Sequence, residues 1–338
     1  MNERESIAKR IDDALNFRRP DRPPIWEMLQ NRAVFEHFAP GEPFPKSAAI
    51  ACRGLGIDAT YGCWQPVEGD RKEGDRVYAG DTVWYTKPAF RSLEDLRDWK
   101  PEPIRPKELE NWMVNDCQRN SDLYAPVIYL PQRGGWEFLP GYDAERFTVV
   151  AVALSEDLPA LERFWDAQVE IAVARNEGTA RHRLAPVVQC CVDVAYKTGL
   201  MVSPSILRDH FFPRFRKVIA PLKAAGIKVI WHSDGNIMPV LDDAIAIGID
   251  GINPVDPSAG MDLAGIRRKY PRLILVGNVG AGHVLRFGSP DQVRQDVRRC
   301  LREAGNGGLM IQCGDGQVMP DCPLENVLAY MDEAHLVQ

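Results

Sequence analysis

The chain has 338 residues, 45% of them hydrophobic and 26% charged, with a formal net charge of −6. These proportions are those of a soluble globular protein and exclude a disordered or low-complexity chain. The negative balance argues against a basic, phosphate-seeking surface, so no nucleic-acid partner is expected.

No apolar run approaches the roughly 20 residues that span a bilayer, and no membrane association is expected. The N-terminal MNERESIAKRIDDALNF is charged and lacks an apolar core, which points to a cytoplasmic protein without a signal peptide. The eight cysteines, Cys52, Cys63, Cys117, Cys190, Cys191, Cys300, Cys313 and Cys322, contain no CxxC pair and read as reduced thiols.

In chain order, the first half supplies three short strand candidates, Pro24–Leu29, Ile57–Gly62 and Pro126–Leu130. From Gly62 to about Lys107 the chain is rich in Gly, Asp, Lys, Trp and Pro and shows no helical period. Within it, Asp75–Thr86 reads as a hairpin turning at Ala79-Gly80-Asp81. This stretch is either an excursion that walls one rim of a site or a plain surface insertion.

The second half alternates strands and helices. Pro186–Val194 is a strand, and Ser203–Ala225 a helix opened by Ser203-Pro204 and stopped by Gly226. Ile227–Trp231 is a strand, Ile237–Ile247 a helix ending at Gly248, and Asp250–Asn253 a very short strand. Asp262–Lys269 is a helix, Leu273–Val276 a strand, Ser289–Ala304 a helix, Gly308–Gln312 a strand and Pro323–His335 a final helix. Repeated strand–helix units predict a parallel sheet covered by helices. Five strands plus the three weaker ones make about eight, the number that closes a (β/α)8 TIM barrel. The expectation is one α/β domain over residues 1–338, with an extra hairpin-containing insertion in the N-terminal half. An open doubly wound sheet is the rival, but GxGxxG and GxxxxGK[ST] are both absent.

In such a barrel the reacting groups stand where strands end. That rule selects Trp26, Glu27, Asp58, Gln132, Arg133, Asp193, the run His232-Ser233-Asp234-Gly235-Asn236, Asn253, Asn278 and Cys313-Gly314-Asp315. His232 and Asp234, two apart on a tight turn, can share a metal ion or act as an acid/base pair. Alternatively, Asp234 caps the helix near Ile237. Asp193 follows a buried run and must be paired, capped or functional. Cys313 either completes a metal site with His232 or is a buried small hydrophobe. Glu27 is either a floor carboxylate of the pocket or a solvated strand end. His283 reads as a rim residue.

The segments SPSILRDHFFPRFRKVI, HSDGN, GIDGINPVDPSAGMDL, LVGNVGAGHVLRFGSPDQVRQDV and PLENVLAYMDEA, between about Ser203 and Glu333, resemble the uroporphyrinogen decarboxylase superfamily. The N-terminal PDRPPIWEM and LGIDATYG are compatible with it. The superfamily fold is a single (β/α)8 barrel, and its members include corrinoid-linked methyltransferases. The decarboxylase carries an MRQAGR-type arginine motif after its first strand. Here that place reads WEMLQNRAVFEHF, with Glu27 where a tetra-anionic porphyrinogen would be repelled. Decarboxylation of uroporphyrinogen is therefore disfavoured, and a decarboxylase-like lyase acting on a small carboxylate or tetrapyrrole stands as the alternative reading.

Coenzyme M methyltransferases of the family hold zinc with a His-x-Cys pair and a later Cys. The corresponding residues here are His232, Asp234 and, counting back from PLEN, Gly316, with Cys313 close by. The resemblance thus implies a zinc site at His232 and Asp234, completed by Cys313. It also implies transfer of a methyl group between a small O- or N-methylated compound, or tetrahydrofolate, and a corrinoid (cobalamin). His232, Asp234 and Asp193 would be catalytic. Asn253 and Asn278 would orient the substrate, beside Glu27, and Trp26 and Trp231 would form a flat wall. No corrinoid-binding DxHxxG is present, so the corrinoid is expected on a partner protein. A homodimer is the family-level expectation.

Overall fold

The structure is a computed structural model and describes residues 2–66, 71–79, 82–140, 143–305, 307–314 and 316–336. Its centre is a parallel sheet of five strands, in spatial order Leu309–Met310, Ile274–Val276, Gly251–Asn253, Lys228–His232 and Val187–Cys191. Each of these strands is followed by helix, so each connection crosses over and the strands run the same way. Ala59–Thr60 pairs in parallel with Ile128–Tyr129. Single parallel bridges continue the pattern: Gln132 with Gln189, Trp26 with Ala59, and Ile25 with Ile311. Counting 25–26, 128–132 and 309–311 as segments, each of eight segments has a parallel neighbour on both sides.

Pro24–Leu29, expected as a strand, makes only bridges at Ile25, Trp26 and Leu29. Pro23 and Pro24 have no N–H to extend a ladder, and Ile25 N–H donates at 2.8 Å to the Asp58 carboxylate instead.

Burial on both sides explains the nearly continuous apolar strands. One buried cluster lies on the inner side and joins Trp26, Ala59, Leu130, Val187, Ile230, Ile274, Val276 and Met310. The N-terminal helix Glu3–Leu15 adds Ile7, Ile11, Ala14 and Leu15 to it. The residues between, Val188, Cys190, Val229, Trp231, Ile252, Leu275 and Ile311, belong to a second cluster shared with the helices. The alternation is the period-two geometry of a strand.

Helix ends follow local chemistry. Ser289 and Gln292 form a reciprocal capping box for Pro290–Ala304. Gly248, at φ 109°, closes Leu241–Ile247 in the left-handed region. The stretch expected as one helix from Ser203 is Pro204–Ile206, a π-turn at Leu207–Phe211 and then Phe212–Ala224. Pattern reading cannot see a π-turn, because its apolar residues keep their face.

The Gly62–Lys107 region holds a helix after all, Leu93–Asp98, opened by a Ser92–Asp95 capping box. Six residues are too few to display a period. The expected hairpin is present as Arg76–Ala79 paired antiparallel with Thr82–Tyr85, with Arg71–Glu73 added as a third strand. Gly80 and Asp81, the expected turn, lie outside the described residues. Among the described residues no helix is long and apolar enough to cross a membrane.

Candidate functional site

Strand pairing assembles the site. Lys228–His232 lies between Val187–Cys191 and Gly251–Asn253, with Cys191 and Asn253 both in register with His232. Ile230 belongs to the inner cluster, so His232, two residues on, points the same way. The same parity turns Gln189 and Cys191 inward behind Val187, and Gln312 behind Met310.

The loops after these two strands are joined to each other. Val194 N–H donates to Ser233 Oγ at 3.0 Å, Asp234 N–H to Asp193 Oδ1 at 3.1 Å, and Asn236 N–H to the Tyr196 carbonyl at 3.1 Å. Gly235 permits the approach. Its φ is +80°, and a Cβ there would lie 2.4 Å from the Tyr196 oxygen. Asp193 and Asp234 are thereby held on either side of the imidazole, with their Oδ1 atoms 3.9 and 3.8 Å from His232 Nε2. Asp234 does not cap the following helix; Asn236 Oδ1 accepts the Met238 N–H at 3.1 Å.

A chain of buried amides fixes the imidazole tautomer. The Gly316 carbonyl can only accept, and it receives Tyr61 Oη at 2.5 Å and Gln312 Nε2 at 3.3 Å. Gln312 Oε1 is therefore the end that accepts from Asn253 Nδ2. Asn253 Oδ1 in turn accepts from Gln189 Nε2 at 3.2 Å and faces His232 Nδ1 at 2.5 Å. Two acceptors cannot share a hydrogen bond, so Nδ1 carries the proton and Nε2 is the working nitrogen.

The charge around that nitrogen is negative. Burial alone pulls the His232 pKa down, but the Cys191 sulfur and the Asp234 and Asp193 carboxylates outweigh it and hold the group well above its usual range. Burial keeps the Tyr61 phenol protonated, with its pKa well above the ordinary value, which suits its role as donor to Gly316.

Among the described residues, one group of possible metal donors converges: Cys191, Asp193 and His232, whose donor atoms all lie within 4.8 Å of one another. Asp234 stands at its rim. Cys313, the expected third ligand, faces the other side of its strand. Its Sγ lies 3.4 Å from Glu27 Oε1, and it belongs to the helix-facing cluster. The position that adjoins the imidazole is Gly316, where a Cβ would lie 3.4 Å from His232 Cε1.

Four further expectations change with strand parity. Glu27 is neither floor carboxylate nor solvated strand end. It is fully buried and accepts from Met28 N, Cys313 N and Tyr330 Oη, each at 3.0 Å. Burial pushes its pKa up to about 7 despite these donors. Trp231 does not line the hollow; it packs on Phe211 and Phe215, with its Nε1 donating to Val192 O at 3.0 Å. Asn278 turns to the helix layer, where Arg299 Nη1 donates to its Oδ1 at 2.8 Å. Asp58, expected within its strand, stands just ahead of Ala59–Thr60 and is held by Arg10 and Arg22, both at 2.5 Å. Arg133 pairs with Asp116 at 2.7 Å on the helix side, His283 is exposed, and Asp315 lies outside the described residues.

Trp26 does belong to the inner cluster, edge-on to Tyr61 at 6.2 Å between centroids. Its Nε1 and the Oε1 of Gln189 are buried without hydrogen-bond partners among the described residues. They are one donor and one acceptor whose hydrogen-bonding capacity the protein leaves unused. Residue order alone overlooked Cys191, Gln189, Gln312 and Tyr61. The signal was available in the run Val187-Val188-Gln189-Cys190-Cys191-Val192-Asp193, whose odd positions share one side.

Residues 183–337 match the family model described as uroporphyrinogen decarboxylase (URO-D). No curated protein matches the sequence. Among solved structures, a methyltransferase from Methanosarcina mazei superposes with a TM-score of 0.71 at 16% identity, over 97% of this chain and 98% of its own. An uncharacterized protein aligns over 93% of this chain and 71% of its own at 13% identity, but with a TM-score of 0.33 the likeness is slight. Residues 183–337 therefore carry the sequence pattern of the uroporphyrinogen decarboxylase family, on a fold that the whole chain shares with a methyltransferase.

Proposed function

We propose that the protein is a methyltransferase of this superfamily. It would pass a methyl group between a small O- or N-methylated compound, or tetrahydrofolate, and a corrinoid carried by a partner protein. The observation that carries the reading is His232 Nε2, held between two carboxylates and a thiol while Nδ1 is locked to Asn253. When a methyl group leaves oxygen or nitrogen for cobalt, the C–O or C–N electron pair stays on the heteroatom, which then needs a proton or a cation. The corrinoid is a co-substrate that supplies the cobalt. The negative charge of Asp193 and Asp234 holds a proton on His232 Nε2, where that heteroatom would take it. Trp26 Nε1 and Gln189 Oε1 would meet the substrate's own polar groups.

In this reading the eight paired segments are the staves of a (β/α)8 barrel within a single domain. The antiparallel strands between Arg71 and Tyr85 are an insertion in its N-terminal half. A cytoplasmic homodimer is part of the proposal; the dimer follows from the resemblance alone. The alternative, decarboxylation of a tetrapyrrole, is disfavoured by the missing arginine motif. Glu27 is turned away, so the repulsion of a polyanion falls instead to Asp193 and Asp234.

The test is purified protein mixed with cob(I)alamin, free or protein-bound, and a panel of methyl ethers, methylamines and methyl-tetrahydrofolate. Conversion to the methylcobalamin spectrum with one donor, lost in His232→Ala, is expected. An unchanged spectrum with every donor would overturn the reading.

A further inference from the structure

We infer that Cys52 and Cys63 form a peroxide-sensitive thiol pair. Cys63 reacts first, Cys52 closes the disulfide, and closure disturbs His232 through Tyr61. The pair lies outside the strand-end hollow and does not need methyl transfer to be correct.

The fold brings the two residues together. Cys52 lies near the end of the helix Lys46–Gly54, and Cys63 follows Ala59–Thr60 in the loop that carries Tyr61. Their Sγ atoms are 3.5 Å apart. A disulfide needs about 2.05 Å between sulfurs, so an approach of about 1.5 Å closes the bond.

The two sulfurs are not equivalent. The Cys63 backbone N–H donates to Tyr124 Oη at 3.0 Å, which leaves the phenolic proton for the Cys63 sulfur. Burial pushes the Cys63 pKa up, but hydrogen bonds to its sulfur from Cys52, the Leu29 N–H and the Tyr124 hydroxyl outweigh it and bring the group below its usual range. The hydrogen bond to Cys63, with burial, holds Cys52 well above the ordinary thiol value. Cys52 is therefore the donor of the pair, and thiolate character collects on Cys63.

Access differs in the same sense. Cys63 keeps 9% exposure and Cys52 none. Gly62, beside Cys63, has open space where a Cβ would stand, and Trp64 on its other side is half exposed. A molecule the size of hydrogen peroxide reaches Cys63 from this side, and Cys52 lies in contact behind it.

The chemistry balances with peroxide as the oxidant. The Cys63 thiolate attacks one peroxide oxygen, the O–O bond breaks, and the departing hydroxide takes the Cys52 thiol proton as water. The Cys52 thiolate then attacks the Cys63 sulfenic sulfur, the S–O bond breaks, and the second hydroxide takes a proton from solvent. Two thiols are oxidised and one peroxide is reduced to two waters.

Closure has a direct route to the imidazole. Cys52 is anchored in its helix, and its carbonyl accepts the Ile57 N–H at 3.0 Å, so the loop holding Cys63 is the part that yields. Two residues back, Tyr61 Oη donates to the Gly316 carbonyl at 2.5 Å. That carbonyl is the first link of the amide chain that ends at His232 Nδ1. Drawing the loop toward the helix loosens this link.

The experiment treats reduced full-length protein with one equivalent of hydrogen peroxide, followed by alkylation under denaturing conditions and peptide mapping. Two of the eight cysteines should become unavailable to the alkylating reagent, and one peptide should join Cys52 to Cys63. In Cys52→Ser the sulfenic acid on Cys63 should persist and be trapped by dimedone. In Cys63→Ser, Cys52 should stay reduced. At high pH, long-range proton–nitrogen spectra of the oxidised wild type should show His232 as a tautomer mixture, reversed by dithiothreitol. The wild-type map and spectra decide the matter should either variant misfold. Both cysteines remaining alkylatable at tenfold peroxide, Cys52 oxidised in Cys63→Ser, or a disulfide that leaves the His232 tautomer unmoved would each overturn the inference. These readouts are independent of turnover, so a protein that transfers no methyl group would overturn only the proposed function.

Discussion

Asn253 Oδ1 lies 2.5 Å from His232 Nδ1, and the Asn253 amide is fully buried and cannot turn over, because Gln312 Oε1 waits on its other side. One backbone carbonyl, at Gly316, thus sets the polarity of every amide between it and the imidazole. The relationship makes the active nitrogen of His232 a consequence of residues that never touch a substrate.

Asn253→Leu should release that control. The wild-type ring is doubly protonated at neutral pH, its pKa being held above the ordinary value. Once it is deprotonated at high pH, the single Nδ1-protonated form of the wild type should give way to a tautomer mixture in the variant, visible in long-range proton–nitrogen spectra of His232. Methyl transfer should fall about 10- to 100-fold. The stranded Gln189 and Gln312 should cost about 1–3 kcal/mol of stability each. An unaltered tautomer in the variant would refute the amide-chain argument.

Glu27 should leave a signature in the pH dependence of stability. Its folded pKa of about 7 is above the ordinary 4.5, so between those values the folded state binds more protons than the unfolded one. Stability contributed by this group therefore falls as pH rises from about 4.5 to about 7, by up to roughly 3 kcal/mol. Urea denaturation across that window should show the decline in the wild type. In Glu27→Gln that component should be missing, so the difference between the two proteins should shift toward the variant as pH rises.

Gly235→Ala tests the junction of the two loops. The new methyl meets the Tyr196 carbonyl and the backbone must leave φ +80°, at a cost of about 1–3 kcal/mol. Activity per folded molecule should fall further than stability, because the junction positions Asp193 and Asp234. Equal loss of both would argue that the loops need not be joined for the chemistry.

Trp231→Ala should behave as a core substitution. The side chain is fully buried against Phe211 and Phe215 on the helix side, so unfolding should become easier by about 3–5 kcal/mol. The KM of the remaining folded protein should stay within twofold of wild type. A large rise in KM would place the ring in the substrate hollow.

Much of the frame was legible from residue order. The Ser-Pro openings at 203 and 289 and the glycine stops at 226, 248 and 305 marked helices, because capping and left-handed turns depend on a few adjacent residues. The His232–Asp234 run was found for the same reason, since a polar cluster directly after an apolar strand is visible locally. Glu27, Asn278 and Cys313 looked equally good at their strand ends, yet Glu27 and Asn278 turn to helix residues Tyr330 and Arg299, and Cys313 turns to Glu27 on the same outer side. Cys191 was read only as one of eight reduced thiols, yet it faces the imidazole.

What residue order settled was the alternation of strand and helix, the parallel sheet and the position of the densest polar turn, all of which rest on interactions within a few residues. Only the folded arrangement decided which strand-end side chains share one hollow. That choice depends on strand parity and on the register between distant segments, and a slip of one residue sends every side chain of a strand to the opposite face.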